Sequence, residues 1–575
     1  MKKSLFRLRF FIETAREDPI GFGILVSRKI PNPWRNRITN VAARVFPFSV
    51  VRVIIYIIGD RRDDAERQYG RLRSGKLRDL LGLYIHGDLS KSQLTYVRAR
   101  KAWDIGDMDN AIRLIRPSSL TARRWRAVKN VLGGDYRPEN LCIRTTAKVS
   151  PDLLQSVRDQ KKSSTGLRVL HLLTNSFPYT LSGYSVRSHA VLRSQRELGI
   201  NCLAVTRLGY PENIGVQPKD NFEEVDGVPY CRLSGFEIPP FVDERLALNY
   251  QLILAIARVY EPDVIHVTTN YENGLIGRSV ANALGVPWVY ETRGEMEKTW
   301  LARCSDSDYE RAVGSSFFVR TRKLETQLMC DASRVIALSN VQKQSHIERS
   351  VDSSKIDVIH NSVERETLAK PGLTSSDARK QLNLTDRFTI GTITSIVDYE
   401  GLEVLLLSLD KIRDMKPDMK IQAVIVGDGA ALPSLMDLAE KRNLLDLVSF
   451  VGKVPPSEVL RWYDAIDVFC IPRKDVDVAR AVTPLKPLQA MARCRPVVVS
   501  DLPALTEITT DRGAGIAVKA GDPHALADAI IRLFESPELY ESLAERAFSF
   551  AEDTTWESAG SDYSKIYQLL VNQSR

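Results

Sequence analysis

From Arg168 onward, short apolar runs alternate with longer stretches in which apolar residues return every three or four positions. The first pattern suits strands of a parallel sheet buried on both faces, and the second suits amphipathic helices. Strands are predicted at 168–173, 202–206, 263–267, 287–291, 334–338 and 356–360, with helices at 183–198, 242–260, 273–284 and 309–329 between them. A second series begins at Phe388, with strands at 388–393, 421–427, 448–451, 467–472 and 497–500 and helices at 402–412, 432–442 and 458–465. Strand–helix alternation with right-handed crossovers builds one parallel sheet per series. The predicted fold class is therefore α/β, with two facing Rossmann-like domains.

Residues 1–165 have a different texture. Apolar spacing of three and four predicts helices over 65–85 and 91–115, and Ala99 to Ile112 is similar to half of a tetratricopeptide-type repeat. The polar run from Asp159 to Gly166 reads as a linker. The expected domains are a basic, mainly helical region (1–160), a first Rossmann-like domain on the acceptor side (161–380) and a second on the donor side (381–575). The last helix is expected to pack back on the preceding domain.

Charge sharpens this division. Residues 1–165 hold 34 Lys and Arg against 16 Asp and Glu, whereas the rest holds 46 against 55. The basic excess of the whole chain thus belongs to its first part. Three readings of the cationic stretch Ala122 to Lys129 around Trp125 stay open: a solvated helix face, an anionic lipid surface or nucleic acid, the last being the least favoured. The apolar stretch Val45 to Ile58 is too short to span a bilayer and is interrupted by Pro47 and Arg52. It reads either as a buried element or as one lying in a membrane interface. The seven cysteines show neither C-x-x-C pairing nor histidine neighbours at ligand spacing, so no zinc site or disulfide framework is indicated. A cytoplasmic location follows, with a peripheral place on the inner membrane face as its extension.

Candidate chemistry gathers at strand ends. Pro484 and Pro487 suit the first turn of a helix, and Lys486 lies between them. Arg473 follows the run Asp467 to Pro472, so two cations lie beside helix N-terminal amides, the makings of an anion site. Gly427-Asp-Gly429 closes one strand and opens a helix, where glycine lets the backbone approach a ligand or simply turn tightly. His266 ends a buried strand, where it is either a core histidine or a site residue. No carboxylate cluster calls for a metal.

The segment VTPLKPLQAMARCRPVVVSDLPALTE (482–507) resembles the donor-binding core of family 4 retaining glycosyltransferases, whose usual wording places glutamates where this chain has Ala481 and Gln489. The resemblance covers residues 168–573 and implies the GT-B fold, with the ligand cleft between the two sheets. It implies a donor site of Gly427, Gly429, Val451, Pro484, Leu485 and Gln489, with Gly183 approaching from the first domain. Arg293, Arg473, Lys486 and His266 are the candidate catalytic residues, Arg293 by its place in a "YE-x-RG" wording at Tyr290 to Gly294. The usual Arg and Lys of the loop after the domain's first strand are replaced by Ser395 and Glu400. The implied activity is transfer of a sugar from a nucleotide diphosphate-sugar to a glycan or lipid-linked acceptor, with retention of configuration and no further cofactor. An alternative stays open: a catalytically impaired body that acts as a binding or scaffolding partner in a cell-surface polysaccharide pathway. Oligomeric state is not legible.

Overall fold

The computed structural model describes residues 95–143, 147–162, 166–368 and 374–574, preceded by residues 38–39, 41–42, 49–58, 62–69 and 72. Eight strands form the first sheet: β1 (Arg168–Leu173), β2 (Asn201–Thr206), β3 (Phe222–Val225), β4 (Val228–Cys231), β5 (Val264–Thr268), β6 (Trp288–Glu291), β7 (Arg334–Ala337) and β8 (Ile356–Val358). Their order is β3-β4-β2-β1-β5-β6-β7-β8. The central register places Val169 opposite Cys202 on one side and Val264 on the other. Every pair in this sheet is parallel except the β3–β4 hairpin. That hairpin is absent from the predicted elements, although its turn, Asp226-Gly227, carries the positive φ pair (49° and 76°) that selects such dipeptides.

The second sheet comprises β9 (Phe388–Ile393), β10 (Ile421–Val426), β11 (Val448–Gly452), β12 (Val468–Ile471), β13 (Val497–Ser500) and β14 (Gly515–Val518), in the order β11-β10-β9-β12-β13-β14. All its pairs are parallel. Two parallel sheets wrapped by helices fit the α/β GT-B fold class, and the all-apolar wording of β13 follows from burial of every residue in it.

The helical region before β1 does not stand apart. Met108, Ala127, Val131, Val149, Leu153 and Val157 share one core with Leu170, Ile253, Ile276 and Leu328 of the first α/β unit. Polar bonds reinforce the seam. Lys101 pairs with Asp308 at 2.6 Å, Phe317 N donates to Gly106 O at 2.9 Å, and the Tyr136 hydroxyl donates to Asp243 O at 2.6 Å. Part of the apolar surface of residues 95–162 finds its partners on helices Val242–Tyr260 and Tyr271–Leu284, while Ala99, Ala102, Ala111, Ile115, Ala122 and Trp125 pack on one another.

Part of the cationic stretch is absorbed in the same way, while Arg123 and Arg126 stay exposed. Trp125 is buried and stacked on Trp103 with ring centroids 4.7 Å apart, Arg123 lies over the Phe241 ring, and Lys129 pairs with Asp109. In the apolar stretch, Val45 to Phe48 lie outside the described residues, while Ser49–Ile58 is a helix that packs Val53 and Ile57 against Ala65 and Leu72.

The last helix, Trp556–Ser574, crosses back to the first unit, where Trp556, Tyr563, Tyr567 and Leu570 join Val169, Leu192, Cys202 and Val264 in one cluster. Gly560 permits the approach: a Cβ there would lie 2.9 Å from Ser194 Oγ on helix Gly183–Glu197.

Candidate active site

Four groups converge on one carboxylate at the end of β6. Glu291 Oε1 accepts from Arg187 Nε at 2.8 Å and Arg293 Nε at 2.7 Å, and Oε2 accepts from His266 at 3.0 Å and the Tyr563 hydroxyl at 2.8 Å. Burial alone would raise the pKa of this carboxyl, but the two guanidiniums and His266 overcome it and hold the group well below the ordinary carboxylate value. Because Glu291 can only accept, His266 donates through Nε2, and its Nδ1 accepts from the Tyr567 hydroxyl at 2.6 Å. His266 also stacks on His171 at 4.7 Å and is fully buried, and burial lowers the pKa of both rings.

Arg187 spends every N–H it has. Besides Glu291 it reaches Ile359 O, His360 O, Asn361 Oδ1 and the Tyr563 hydroxyl, all within 3.1 Å. It is a buried cation rather than an exposed helix residue, and Asn361 passes its hold onward by donating to Thr483 O at 2.9 Å. Arg293 is buried too; it bonds Tyr184 O at 2.8 Å and Ser188 Oγ. Arg293 and His266, expected to line the cleft as catalytic groups, thus form its supporting wall. Tyr563, Tyr567 and Asn361 complete that wall; their i, i+4 spacing or loop position gives no local signal of it.

Across the cleft, Arg473 is not the free cation that its sequence position suggests. Glu400 neutralises it through bonds of 2.8 and 3.2 Å, and its third bond goes to Val482 O at 3.0 Å. The carboxylate standing where the family wording has a cation thereby ties the loop after β9 to the loop before helix Lys486–Met491. Lys486 differs: it is half-buried, and among the described residues no carboxylate lies within ion-pair distance of its Nζ. Burial lowers its pKa, while the Glu400 charge acts the other way. Thr483 Oγ1, three residues earlier, is buried without a hydrogen-bond partner. Burying a hydroxyl with no partner, or an ammonium with no counter-charge, is costly unless an acceptor arrives to meet it.

Gly183 faces Leu485 across the cleft, its Cβ position 3.8 Å from Cδ1. Pro484 and Leu485 lead into the helix, and the Gln489 amide oxygen accepts from the buried Tyr463 hydroxyl at 2.9 Å. A Cβ at Gly427 (φ +136°) or Gly429 would lie 1.8 Å from Thr394 O or 2.1 Å from Ile396 O, so both glycines let the β9 and β10 loops touch. Val451 is half-buried on β11, next to this turn. Glu507 joins the two units directly, accepting from Asn340 N at 2.7 Å and Val341 N at 3.0 Å at the start of helix Asn340–Glu348. Among the described residues no three His, Cys, Asp or Glu side chains gather as a metal site, and no helix is long and apolar enough to cross a membrane.

Comparisons with known proteins bear on the family and the fold. Residues 182–362 match the family model "Glycosyl transferase 4-like domain" and residues 374–550 match "Glycosyl transferases group 1". An alpha-monoglucosyldiacylglycerol synthase from Streptococcus pneumoniae is 25% identical over 324 residues, covering 54% of this chain and 69% of the relative. A D-inositol 3-phosphate glycosyltransferase from Corynebacterium urealyticum is 25% identical over 356 residues, 60% of this chain and 79% of the relative. Among solved structures, sucrose-phosphate synthase from Thermosynechococcus elongatus superposes with a TM-score of 0.58 at 19% identity, over 71% of this chain and 100% of the other. Anabaena HepE in complex with UDP gives 0.56 at 17% identity, over 70% and 100%. The chain carries both halves of a glycosyltransferase of the family 4, GT-B type.

Proposed function

We propose that this protein moves a sugar from a nucleoside diphosphate-sugar to a glycan or lipid-linked acceptor, with retention of configuration. The observation that carries the reading is the half-buried Lys486, which has no carboxylate partner among the described residues, with the unpartnered hydroxyl of Thr483 three residues earlier. Both groups suit the diphosphate of a donor, and a leaving diphosphate gains most from a cation in a partly dry cleft. Anabaena HepE was solved in complex with UDP, which supports a nucleoside diphosphate as the anion. The name of the Streptococcus relative supports a lipid-linked acceptor.

In this reading Lys486 holds the diphosphate, Pro484 and Leu485 shape the loop against Gly183, Gln489 lies at the ribose, and Val451 lies beside the base. Arg473, Arg293 and His266 act through others: Arg473 sets the donor loop by Val482, and Arg293 sets Tyr184 from behind. The leaving diphosphate oxygen takes the proton of the incoming hydroxyl on the same face of the sugar, so the chain supplies positioning and charge rather than a base. Residues 1–165, with their basic excess and the apolar helix Ser49–Ile58, hold the protein at an anionic membrane surface on the cytoplasmic side.

One observation favours a second reading. Glu400 cancels Arg473, which leaves Lys486 with little help, and a body that binds donor without turnover would look the same. Thermal shifts with a panel of nucleoside diphosphates and their sugars test the first step, since ligand at a hundredfold its Kd adds about 2.7 kcal/mol of stability. Release of the nucleoside diphosphate from a stabilising sugar nucleotide, measured with acceptor lipids, decides between the two. No shift with any of the panel would sink both.

A further inference from the structure

A second concave site lies away from the cleft, on helix Ser316–Asp331. It is a groove of about 620 Å³, within the ~300–1,000 Å³ usual for small-molecule sites. Its apolar part is Val313, Phe318 and Val319, and its cationic part is Arg322, Lys323 and Arg349. Val319 is 52% exposed, a large apolar side chain left in water beside two exposed cations. Among the described residues no carboxylate pairs with Arg322 or Lys323. Arg349 is nine-tenths buried; its Nη2 pairs with Glu297 at 2.8 Å and with Glu295, and its Nε is buried with no hydrogen-bond partner.

We propose that this groove binds one phosphate-headed lipid, the phosphate against Arg322, Lys323 and the free Nε of Arg349, and the first carbons of the tail over Val313, Phe318 and Val319. Charge complementarity fixes the head: Glu295 and Glu297 balance Arg349 from behind, which leaves two unpaired cations facing outward and a guanidinium N–H still to be satisfied. The exposed Val319, beside half-buried Val313 and the rim of buried Phe318, places the tail, since a free anion would leave Val319 in water. The basic N-terminal segment is a poor occupant, because its 34 cations against 16 anions repel the groove. Glu295 and Glu297 lie on the segment after β6 that also carries Arg293 and Gly294, so groove and cleft are joined through one short stretch of chain. The inference does not depend on sugar transfer.

Isothermal titration of the full chain with dodecyl phosphate below its micellar range tests this, beside inorganic phosphate and dodecyl maltoside. Wild type is expected to bind dodecyl phosphate at least tenfold more tightly than either control. The double variant Arg322→Ala, Lys323→Ala should lose at least tenfold for dodecyl phosphate, and Val319→Asp should lose the advantage of dodecyl phosphate over inorganic phosphate. All three side chains are solvent-facing, and circular dichroism melting should confirm that the variants fold as wild type does. Equal affinity of wild type and the double variant for dodecyl phosphate would overturn the proposal. So would inorganic phosphate matching dodecyl phosphate, or a short duplex RNA bound by wild type and lost in the double variant.

Discussion

The Tyr563 hydroxyl, on the last helix, donates to Glu291 Oε2 at 2.8 Å, 272 residues earlier in the chain and wholly buried. The bond closes a network in which one carboxylate holds two guanidiniums, a histidine and a tyrosine. Removing single members should therefore give graded losses. Tyr563→Phe takes one donor from Glu291 and one acceptor from Arg187, and should cost about 1–3 kcal/mol in denaturant unfolding. Glu291→Gln leaves Arg187 and Arg293 buried without a counter-charge and should cost about 3–5 kcal/mol. An unchanged unfolding midpoint in Glu291→Gln would remove the structural role assigned to this residue.

The two cations of the donor side should separate by experiment. Lys486→Ala should weaken nucleoside diphosphate binding by more than about tenfold, since a charge-assisted bond contributes about 1.5–3 kcal/mol, and should leave the unliganded melting temperature in place. Arg473→Ala should act on folding as well, because it strands the buried Glu400 carboxylate and frees Val482 O. Calorimetry of binding and of unfolding on both variants reads the difference. Equal melting losses in the two would contradict it.

Gln489 invites a gain-of-function test. Its oxygen accepts from Tyr463, and a carboxylate in its place can keep that bond while offering a second oxygen to a ribose hydroxyl. Gln489→Glu should therefore tighten donor binding several-fold, measured as a lower Kd for the stabilising sugar nucleotide. A weaker Kd would mean that the amide NH2 makes a contact of its own.

Glu325 gives the fold a pH dependence whose sign can be stated. Burial raises its pKa from 4.5 to about 7, although bonds from the Tyr290 hydroxyl and from Tyr271 N at 2.7 Å work against that shift. Between these two values the folded chain keeps a proton that the unfolded chain has released, so this contribution is full below pH 4.5 and lost as pH rises to about 7. The difference in unfolding free energy between wild type and Glu325→Gln should fall by about 1.4 kcal/mol per pH unit across that window. A difference independent of pH would show that Glu325 titrates as an ordinary surface carboxyl.

Much of the fold was legible because parallel strands buried on both faces leave an unmistakable apolar run, as Val497 to Ser500 does. Three strands escaped: β3 is half-polar, β4 is fully buried but only four residues long and interrupted by Pro229, and β14 opens on Gly515. The site was harder. Lys486, Gly427 and Gly429 could be placed at strand and helix ends from local wording alone. Whether a charged residue there faces solvent or a partner depends on groups far away in the chain. Arg473 meets Glu400 seventy-three residues upstream, and His266 meets Tyr567 301 residues downstream. Charge counting could not show that, within residues 95–162, Lys101 pairs with Asp308 and Arg123 lies over Phe241, partners more than a hundred residues away.

The crossing of the last helix has a consequence for synthesis. A ribosome finishes β8 at Val358, then makes the whole second sheet before it reaches Tyr563 and Tyr567. At about 5–20 residues per second, that interval is on the order of 10–40 s. Throughout it the first sheet lacks one wall of its core, and Glu291 lacks one of its donors, while the second sheet has every strand it needs once Val518 is made. The unit that is started first is thus completed last. Nascent chains stalled after Asp553 should be cut by protease within residues 166–368 and resist within 388–518, and release of the full chain should protect both.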